Sequence, residues 1–208
     1  MLQDVTIRRD GQPAALFAPL SLTVEAGRIV TLMGPSGSGK STLLDLVAGL
    51  LGPGWQASGR VVLDGRDLGG LPPERRRVGL LLQDAGLFPH LSVGDNLAFG
   101  LDAAVRGAAA RRAAVEAALC QAELAGYYDR DPAGLSGGQR TRAALMRTLL
   151  ARPDALLLDE PFSRLDQRLR AEMRRFVFDH VREAAIPALL VTHDPEDAEA
   201  AGGRVAQL

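Results

Sequence analysis

The stretch Gly34-Pro-Ser-Gly-Ser-Gly-Lys-Ser-Thr42 follows the apolar run Ile29–Met33 and leads into the helix-forming run Leu43–Leu50. Glycines between a strand and a helix let successive backbone N–H groups point at phosphate oxygens, and the helix adds the positive end of its dipole. We therefore predict a nucleoside triphosphate site here, against the alternative of a simple glycine-rich turn. The predicted phosphate contacts are Gly34, Pro35, Ser36, Gly37, Ser38, Gly39, Lys40, Ser41 and Thr42.

Two side chains of this loop carry specific chemistry. The Lys40 ammonium would neutralise the β- and γ-phosphates, and the Ser41 hydroxyl is a hard oxygen ligand of the kind that Mg²⁺ prefers. Lysine and arginine together number 24, and Lys40 is the single lysine among them. Because every other cation is an arginine, the lysine at this position indicates a need for a compact point charge.

A second cluster of polar residues follows the apolar run Ala155–Leu158, where Asp159 and Glu160 would lie at the carboxyl end of a buried strand. Asp159 would hold Mg²⁺, and Glu160 would act as the general base toward the attacking water. The alternative is a helix N-cap, which the following Pro161 would fit. The phosphate loop upstream favours the functional interpretation.

Apolar periodicity predicts an α/β fold, because continuously apolar runs are typical of parallel strands covered by helices on both faces. Turn signals at Asp10-Gly11 and Asp64-Gly65 indicate an antiparallel β layer near the N-terminus. The predicted strands are Leu2–Ile7, Leu20–Val24, Arg28–Met33, Arg60–Leu63, Val78–Leu82, Ala155–Leu158, Ala188–Thr192 and Arg204–Leu208.

The segment between the two clusters is different in character. Its Ala-rich runs with scattered arginines, notably Ala108–Ala125 and Gly138–Ala151, favour helix. We predict one domain over residues 1–208, with the core and β layer in residues 1–83 and 153–208 and a helical subdomain inserted at residues 84–152.

Composition excludes several classes of protein. The net charge of −1 and the apolar share of 47% are those of an ordinary globular domain, not of a nucleic-acid-binding one. We expect the clusters Arg75–Arg77 and Arg111–Arg112 to form solvated faces. No secretory signal and no membrane span is predicted, which favours a cytoplasmic protein. The single cysteine, Cys120, is expected to be a buried apolar residue.

The string Leu135-Ser-Gly-Gly-Gln139 separates this chain from other nucleotide hydrolases. It matches residue for residue the LSGGQ signature of the ABC transporter ATPases, which the chain resembles over nearly its whole length. Ser136, Gly137 and Gly138 would open a helix whose N-terminus faces an anion, while a plain serine N-cap is the structural alternative. The resemblance implies contact with ATP bound to a second subunit for Leu135, Ser136, Gly137, Gly138 and Gln139.

Further positions follow the order of that family. The resemblance implies that Gln83 reaches Mg²⁺ together with Ser41 and Asp159, and that His193 contacts the γ-phosphate as a catalytic residue beside Glu160 and Lys40. It also implies that Asp166, in Ser163-Arg-Leu-Asp166, contacts the opposite subunit. The stretch Gln83–Leu101 looks like the importer ATPases of thiamine, polyamine, iron, sulfate or maltose systems, and DEPFSRLD resembles the YnjD-type branch.

The resemblance implies a P-loop NTPase core of RecA type and a subunit that binds ATP with Mg²⁺ and hydrolyses the ATP to energise a bacterial solute importer. The expected partners are a second cassette in an ATP-dependent dimer, two transmembrane permease subunits and, indirectly, a periplasmic solute-binding protein, with no nucleic acid. The expected location is the cytoplasmic face of the cell membrane. The alternatives are a non-transport ABC ATPase of DNA repair or translation and, more weakly, a small-molecule phosphotransferase.

Two departures from the family pattern concern individual residues. Family members usually carry an aromatic residue that stacks on adenine where this chain reads Arg8–Pro13. Phe17 is the nearest aromatic, and we expect it to pack in the core; an arginine stacking on adenine is the other possibility. Arg164 stands where alanine is commoner, and the family geometry would let it form an ion pair across the subunit interface.

Overall fold

The glycine-rich loop joins a strand of a parallel sheet to a helix in the computed structural model, which describes residues 1–208. The strands are β1 (Leu2–Arg9), β2 (Leu20–Leu22), β3 (Ile29–Met33), β4 (Trp55–Leu63), β5 (Arg66–Asp67), β6 (Val78–Leu81), β7 (Ala155–Asp159), β8 (Ala188–Val191) and β9 (Val205–Gln207). The helices are α1 (Lys40–Ala48), α2 (Pro73–Arg76), α3 (Val93–Phe99), α4 (Ala108–Gln121), α5 (Gly137–Leu150), α6 (Gln167–Glu183) and α7 (Pro195–Ala201), with a 3₁₀ turn at Pro132–Gly134.

The five-stranded sheet has the order β6-β7-β8-β3-β9, and β8 is parallel to both β7 and β3. Val191 at the end of β8 pairs with Leu32 of β3 and with Asp159 of β7, so the carboxyl ends of these strands align. All of β8 is buried, which explains its uninterrupted apolar sequence. The predicted parallel α/β core is confirmed.

The antiparallel layer is a four-stranded sheet in the order β2-β1-β4-β5, as the turn signals indicated. Strand β4 begins at Trp55, five residues before the predicted start at Arg60. Residues 56–60 are exposed and carry no apolar alternation, so nothing in their sequence marks them as a strand. Their pairing with β1 places them in the sheet.

An extra residue in β1 changes its register against β4. Gln3 pairs with Arg60 while Thr6 pairs with Ser58, so two residues of β1 oppose Gly59 alone. Such a β-bulge switches which side chains face the core, and both Leu2 and Val5 are buried as a result.

The chain separates into two compact units. The first comprises residues 1–80, 154–160 and 180–208, and the second comprises residues 81–153 and 161–179. The segment 161–179 thus groups with the helical unit, whereas the sequence analysis assigned it to the core. None of the helices is both long enough and apolar enough to span a membrane.

In the first unit, Arg76 departs from the expectation of a solvated arginine cluster. Its side chain is buried, and its guanidinium donates to the carbonyl oxygens of Leu46, Val47 and Leu71. The first two are among the last carbonyls of α1, which have no partner within the helix. Arg76 therefore caps the carboxyl end of the helix that the phosphate loop begins.

The second unit has its own apolar core, formed mainly by α3, α4 and α5. Cys120 on α4 is exposed, so the prediction of a buried cysteine is wrong: the core face of that helix is formed by Val115, Ala118 and Leu119. Helix α6 was not predicted from the sequence, although Met173 and Val177 are fully buried and lie four residues apart.

We predict that Gly59→Ala destabilises the protein by about 2 kcal/mol or more, because a Cβ there would lie 2.5 Å from the carbonyl oxygens of Gln3 and Asp4 and because φ is +88°. Gly70→Ala is the matched control, since it has φ +73° and no atom within 4 Å of its Cβ. It should cost only about 1 to 2 kcal/mol. Urea unfolding measures the free energy of unfolding of both variants. Equal losses of stability would show that the close contacts at the bulge do not cause the effect of Gly59→Ala.

Candidate functional site

The loop between β3 and α1 depends on glycines at defined places. Gly37 and Gly39 have φ of +82° and +96°, and Gly39 is the N-cap of α1. A Cβ at Gly34 would lie 2.5 Å from the carbonyl oxygen of Leu208, and one at Gly39 would lie 3.0 Å from Cδ1 of Leu16. The backbone therefore curls in a way that other residues would obstruct. The N–H of Ser38 donates to the carbonyl oxygen of Pro35, and those of Gly37 and Gly39 are available to an anion.

Lys40 lies within this curl and is only 7% exposed. Its Nζ donates to the carbonyl oxygens of Gly34 and Pro35, at 2.8 Å each. An ammonium group has three protons, so one remains for a phosphate oxygen. The Oγ of Ser38 is buried without a hydrogen-bond partner, which is unusual for a hydroxyl and fits a loop shaped around a polar ligand.

Three of the predicted polar residues lie at the aligned carboxyl ends of β7 and β8. Asp159 ends β7, Glu160 follows it, and His193 comes two residues after the end of β8. The Oγ of Ser41 donates to Oδ1 of Asp159 at 3.1 Å, which connects this edge to the phosphate loop. Turns follow at Pro161, and α6 begins only at Gln167, so the helix N-cap alternative for Asp159 and Glu160 is wrong.

Burial raises the pKa of Asp159 above its usual range. The charges of Glu160 and Asp45 raise this pKa further, while the hydrogen bond from Ser41 and the charge of Lys40 oppose the shift. Desolvation is the largest cause, because a carboxylate loses hydration that a single hydroxyl donor does not replace. The surroundings of Asp159 therefore favour the neutral form of its carboxyl group.

Glu160 has an unusual backbone conformation, with φ of +45°. Its N–H donates to the carbonyl oxygen of Val191 at 2.9 Å, and its Oε1 lies 3.1 Å from Nδ1 of His193. A non-glycine residue in the left-handed region carries strain that the surrounding structure must offset, and such residues cluster at functional sites. The side chains of Glu160 and His193 are 27% and 63% exposed, so both remain accessible to a water molecule or ligand.

The donor set fits Mg²⁺ held jointly with a phosphorylated ligand. Ser41 and Asp159 offer a hydroxyl and a carboxylate, which are the oxygen ligands this ion takes. No group of three or more His, Cys, Asp or Glu residues in the chain forms a metal cage. Mg²⁺ commonly binds through one or two protein oxygens and completes its shell with water and phosphate oxygens.

The predicted signature residues lie in the second unit, at the start of α5. Ser136 is the N-cap: its Oγ accepts from the N–H of Gln139, and Oε1 of Gln139 accepts from the N–H of Ser136. The serine N-cap alternative thus describes the local structure correctly. It does not exclude anion binding, because the Ser136 hydroxyl proton and the N–H groups of Gly137 and Gly138 remain available.

The two glycines of this string have a packing requirement. A Cβ at Gly138 would lie 2.8 Å from Cδ1 of Leu169, and one at Gly137 would lie 3.2 Å from Cδ2 of Leu165. Leu135 is buried in the core of this unit. Of the string, only Ser136 is exposed, and Gly137 and Gln139 are half-buried.

The remaining predicted residues also lie in the second unit. Gln83 is exposed, two residues after β6 ends, and Asp166 is exposed with its Oδ1 accepting from the N–H of Leu169, as an N-cap of α6. Arg164 has a partner within the chain, since its Nη1 lies 2.9 Å from Oδ2 of Asp84. Backbone donation from Gly86 and the Arg164 guanidinium lower the pKa of Asp84. An ion pair of Arg164 across a subunit interface stays a prediction.

Two residues that the sequence analysis did not select line the cleft beside the phosphate loop. They are Leu16 and Trp55, which share this cleft with Lys40, Ser41 and Glu160. Phe17 is buried in the core of the first unit, as expected. Trp55 is the only tryptophan in the chain, and this was the one sign in the sequence that it could have a role. Its position beside the loop depends on the pairing of β4 with β1, which the residues around Trp55 do not indicate.

Comparisons with known proteins agree with this geometry. A family model described as ABC transporter matches residues 17–163. The chain is 51% identical over 185 residues to the uncharacterized ABC transporter ATP-binding protein YnjD of Escherichia coli K12. The aligned region covers 89% of the chain and 85% of that protein. It is 50% identical over 176 residues to the thiamine import ATP-binding protein ThiQ of Cereibacter sphaeroides, covering 85% and 75% respectively.

A solved structure is similar over the full length. The dimeric post-hydrolysis state of the ATP-binding cassette MJ0796, bound to ADP and Pi, matches with a TM-score of 0.82 and 29% identity. The match covers 100% of the chain and 93% of that cassette.

We predict that Asp159→Asn raises the melting temperature of the ligand-free protein at pH 7, because the native state disfavours the ionised carboxylate. A folded-state pKa above the unfolded value makes the carboxylate destabilising above the folded pKa. The gain should shrink as pH falls through that pKa and vanish below about 3.9, the pKa of an unfolded aspartate.

Asp67→Asn is the control of opposite sign, because donation from Gly69 and Arg60 lowers the pKa of Asp67. This variant should be less stable than the unaltered protein at pH 7 and equally stable at low pH. Scanning calorimetry between pH 3 and 8 measures the melting temperatures of both variants. A change in melting temperature for Asp159→Asn that does not depend on pH would contradict the raised pKa of Asp159.

Proposed function

The chain belongs to the ABC transporter family, and from this membership we propose that it hydrolyses ATP to energise a bacterial solute importer. The observation that carries the proposal is the meeting of the phosphate loop with Asp159, Glu160 and His193 at one edge of a parallel sheet. Ligands bind at this edge of α/β sheets because helix N-termini and strand ends converge there. The relatives described above are named as ATP-binding proteins, one of them for thiamine import.

In the proposed reaction, the loop amides and Lys40 hold the phosphates of ATP. A water oxygen bonds to the γ-phosphorus as the bond to the bridging oxygen breaks, and the bond electrons stay on the β-phosphate of ADP. The proton of that water passes to a carboxylate oxygen of Glu160, which His193 positions through the contact at Nδ1. The strained backbone of Glu160 fixes where this carboxylate lies.

Ser41 and Asp159 would hold Mg²⁺, which when bound neutralises charge on the β- and γ-phosphate oxygens. A bound cation would favour the ionised form of Asp159 against the burial that raises its pKa. Gln83 is proposed as a third ligand of the ion, on family resemblance.

We predict that Glu160→Gln keeps ATP binding and slows phosphate release by roughly 10² to 10⁴-fold, the usual contribution of a positioned general base. Glutamine preserves the size and the contact to His193 but cannot accept the proton. Glu25→Gln is the control, since Glu25 is exposed and precedes β3 at the strand end opposite the loop. Parental turnover in the Glu160 variant would show that another group is the base.

The proposal extends to assembly. Each chain carries a phosphate loop in one unit and the exposed cap of α5 in the other, and we propose that ATP is enclosed between the loop of one subunit and residues 135–139 of a second. The dimeric state of the similar cassette MJ0796 supports this arrangement. Asp166 would contact the partner subunit.

The same proposal includes two transmembrane permease subunits and, through them, a periplasmic solute-binding protein. The chain would then lie on the cytoplasmic face of the cell membrane as a peripheral subunit. Closing of the ATP-bound dimer would move the permeases, and hydrolysis would release it. The non-transport alternative has no observation in its favour, because the named relatives are transport proteins.

We predict that Glu160→Gln with Mg-ATP forms a dimer and returns toward monomer with ADP, because trapped nucleotide favours the state that binds it better. Adding Ser136→Arg to this variant should prevent dimerisation while ATP stays bound to the loop. Ser92→Arg is the matched control, because Ser92 is also a serine N-cap, accepting from the N–H of Asp95. Light scattering distinguishes the cases, and a Ser136→Arg protein that still dimerises would contradict the shared site.

A further inference from the structure

Nucleotide binding requires a surface for the base as well as a loop for the phosphates. The first unit contains two aromatic side chains from Phe, Tyr and Trp, namely Phe17 and Trp55. Phe17 is 9% exposed and packs in the hydrophobic core, so its ring is not available to a ligand. Trp55 is half-buried and lines the same cleft as Ser36, Gly39 and Lys40.

We propose that Trp55 provides the surface on which the adenine base of bound ATP stacks, with Leu16 completing an apolar wall beside the loop. The inference rests on the proposed function, because it assigns the base-binding part of the same site. The proposal assigns base binding to β4. This strand is distant in sequence from residues 8–13, where family members usually carry the aromatic residue.

The lining of the cleft combines two kinds of surface. Leu16 and Trp55 supply apolar surface, and the other lining residues supply amides, hydroxyls, an ammonium group and a carboxylate, namely Ser36, Gly37, Gly39, Lys40, Ser41, Thr42 and Glu160. Leu16 adjoins the loop directly, since its Cδ1 would lie 3.0 Å from a Cβ at Gly39. The base and the phosphates of one nucleotide differ in the same way, so a single ligand can use both kinds of surface.

Pairing between β1 and β4 holds Trp55 in place. Trp55 is opposite Arg9 in the antiparallel register, and the N–H of Asp10 donates to the carbonyl oxygen of Gly54 at 2.9 Å. Next to it, the guanidinium of Arg8 donates twice to Oε1 of Gln56, at 3.0 and 2.7 Å. The indole also packs against the edge of the core. A ring held in this way loses little conformational freedom on binding a base.

The alternative of an arginine stacking on adenine is less well supported. Arg8 faces Gln56 across the strands and is engaged by it, whereas Trp55 is the side chain that lines the cleft. Stacking on an indole with an aliphatic neighbour offers few hydrogen bonds to the base edge. We therefore expect the site to prefer nucleotides over inorganic triphosphate while distinguishing ATP from GTP only weakly.

Trp55 is the only tryptophan in the chain, so its fluorescence tests the contact directly. In the unaltered protein, Mg-ATP should change the Trp55 emission, and inorganic triphosphate should bind without a comparable change. Trp55→Ala should weaken ATP binding by roughly 5- to 150-fold, the usual range for loss of one base-stacking contact, and leave triphosphate binding unchanged. Trp55→Phe should retain most of the ATP affinity.

Phe99→Ala is the matched control for loss of an aromatic side chain, because Phe99 is 70% exposed and lies on α3 in the other unit. Calorimetric titration of all four proteins with Mg-ATP and with triphosphate gives the affinities. Parental ATP affinity in Trp55→Ala, or unchanged Trp55 emission on saturation with ATP, would overturn the inference and leave the proposed function intact. Failure of the unaltered protein to bind either ligand would overturn the proposed function itself.

Discussion

The hydrogen bond from Ser41 to Asp159 is the contact on which the arrangement of this site depends. It joins the first turn of α1 to the end of β7, and β7 is separated from the strand before α1 by β8. The bond forms because Val191 of β8 pairs with Leu32 on one side and Asp159 on the other, so the three strands end together. A shift of one strand by a residue would separate the hydroxyl from the carboxylate.

The electrostatics of that edge suit the joint binding of a metal ion and a phosphate group. Burial and the neighbouring charges of Glu160 and Asp45 raise the pKa of Asp159, while Lys40 donates to two carbonyl oxygens of its own loop. Burial thus favours the neutral form of Asp159, and the Lys40 ammonium group keeps one proton beyond the two donated to its own loop. A bound phosphate with its metal ion would improve both environments at once, which links stability to ligand binding.

The residues that could be identified from the sequence alone belong to short sequence motifs. The phosphate loop, Asp159 with Glu160 and the cap at Ser136 each depend on neighbours within about five positions. The residues that could not be identified in this way depend on contacts between distant segments. Trp55 reaches the cleft through pairing with β1, Arg76 is buried by the end of α1, and Cys120 is exposed because α4 turns another face inward.

The bulge in β1 also changes how substitutions along that strand should be tolerated. Before the extra residue an even-numbered position, Leu2, faces the core, and after it odd-numbered positions do, namely Val5 and Ile7. A map of variant fitness would therefore show sensitive positions at 2, 5 and 7 instead of a regular alternation. The break in that alternation would reveal the position of the bulge, and the glycine opposite it would be intolerant of substitution although it contributes no side chain to the core.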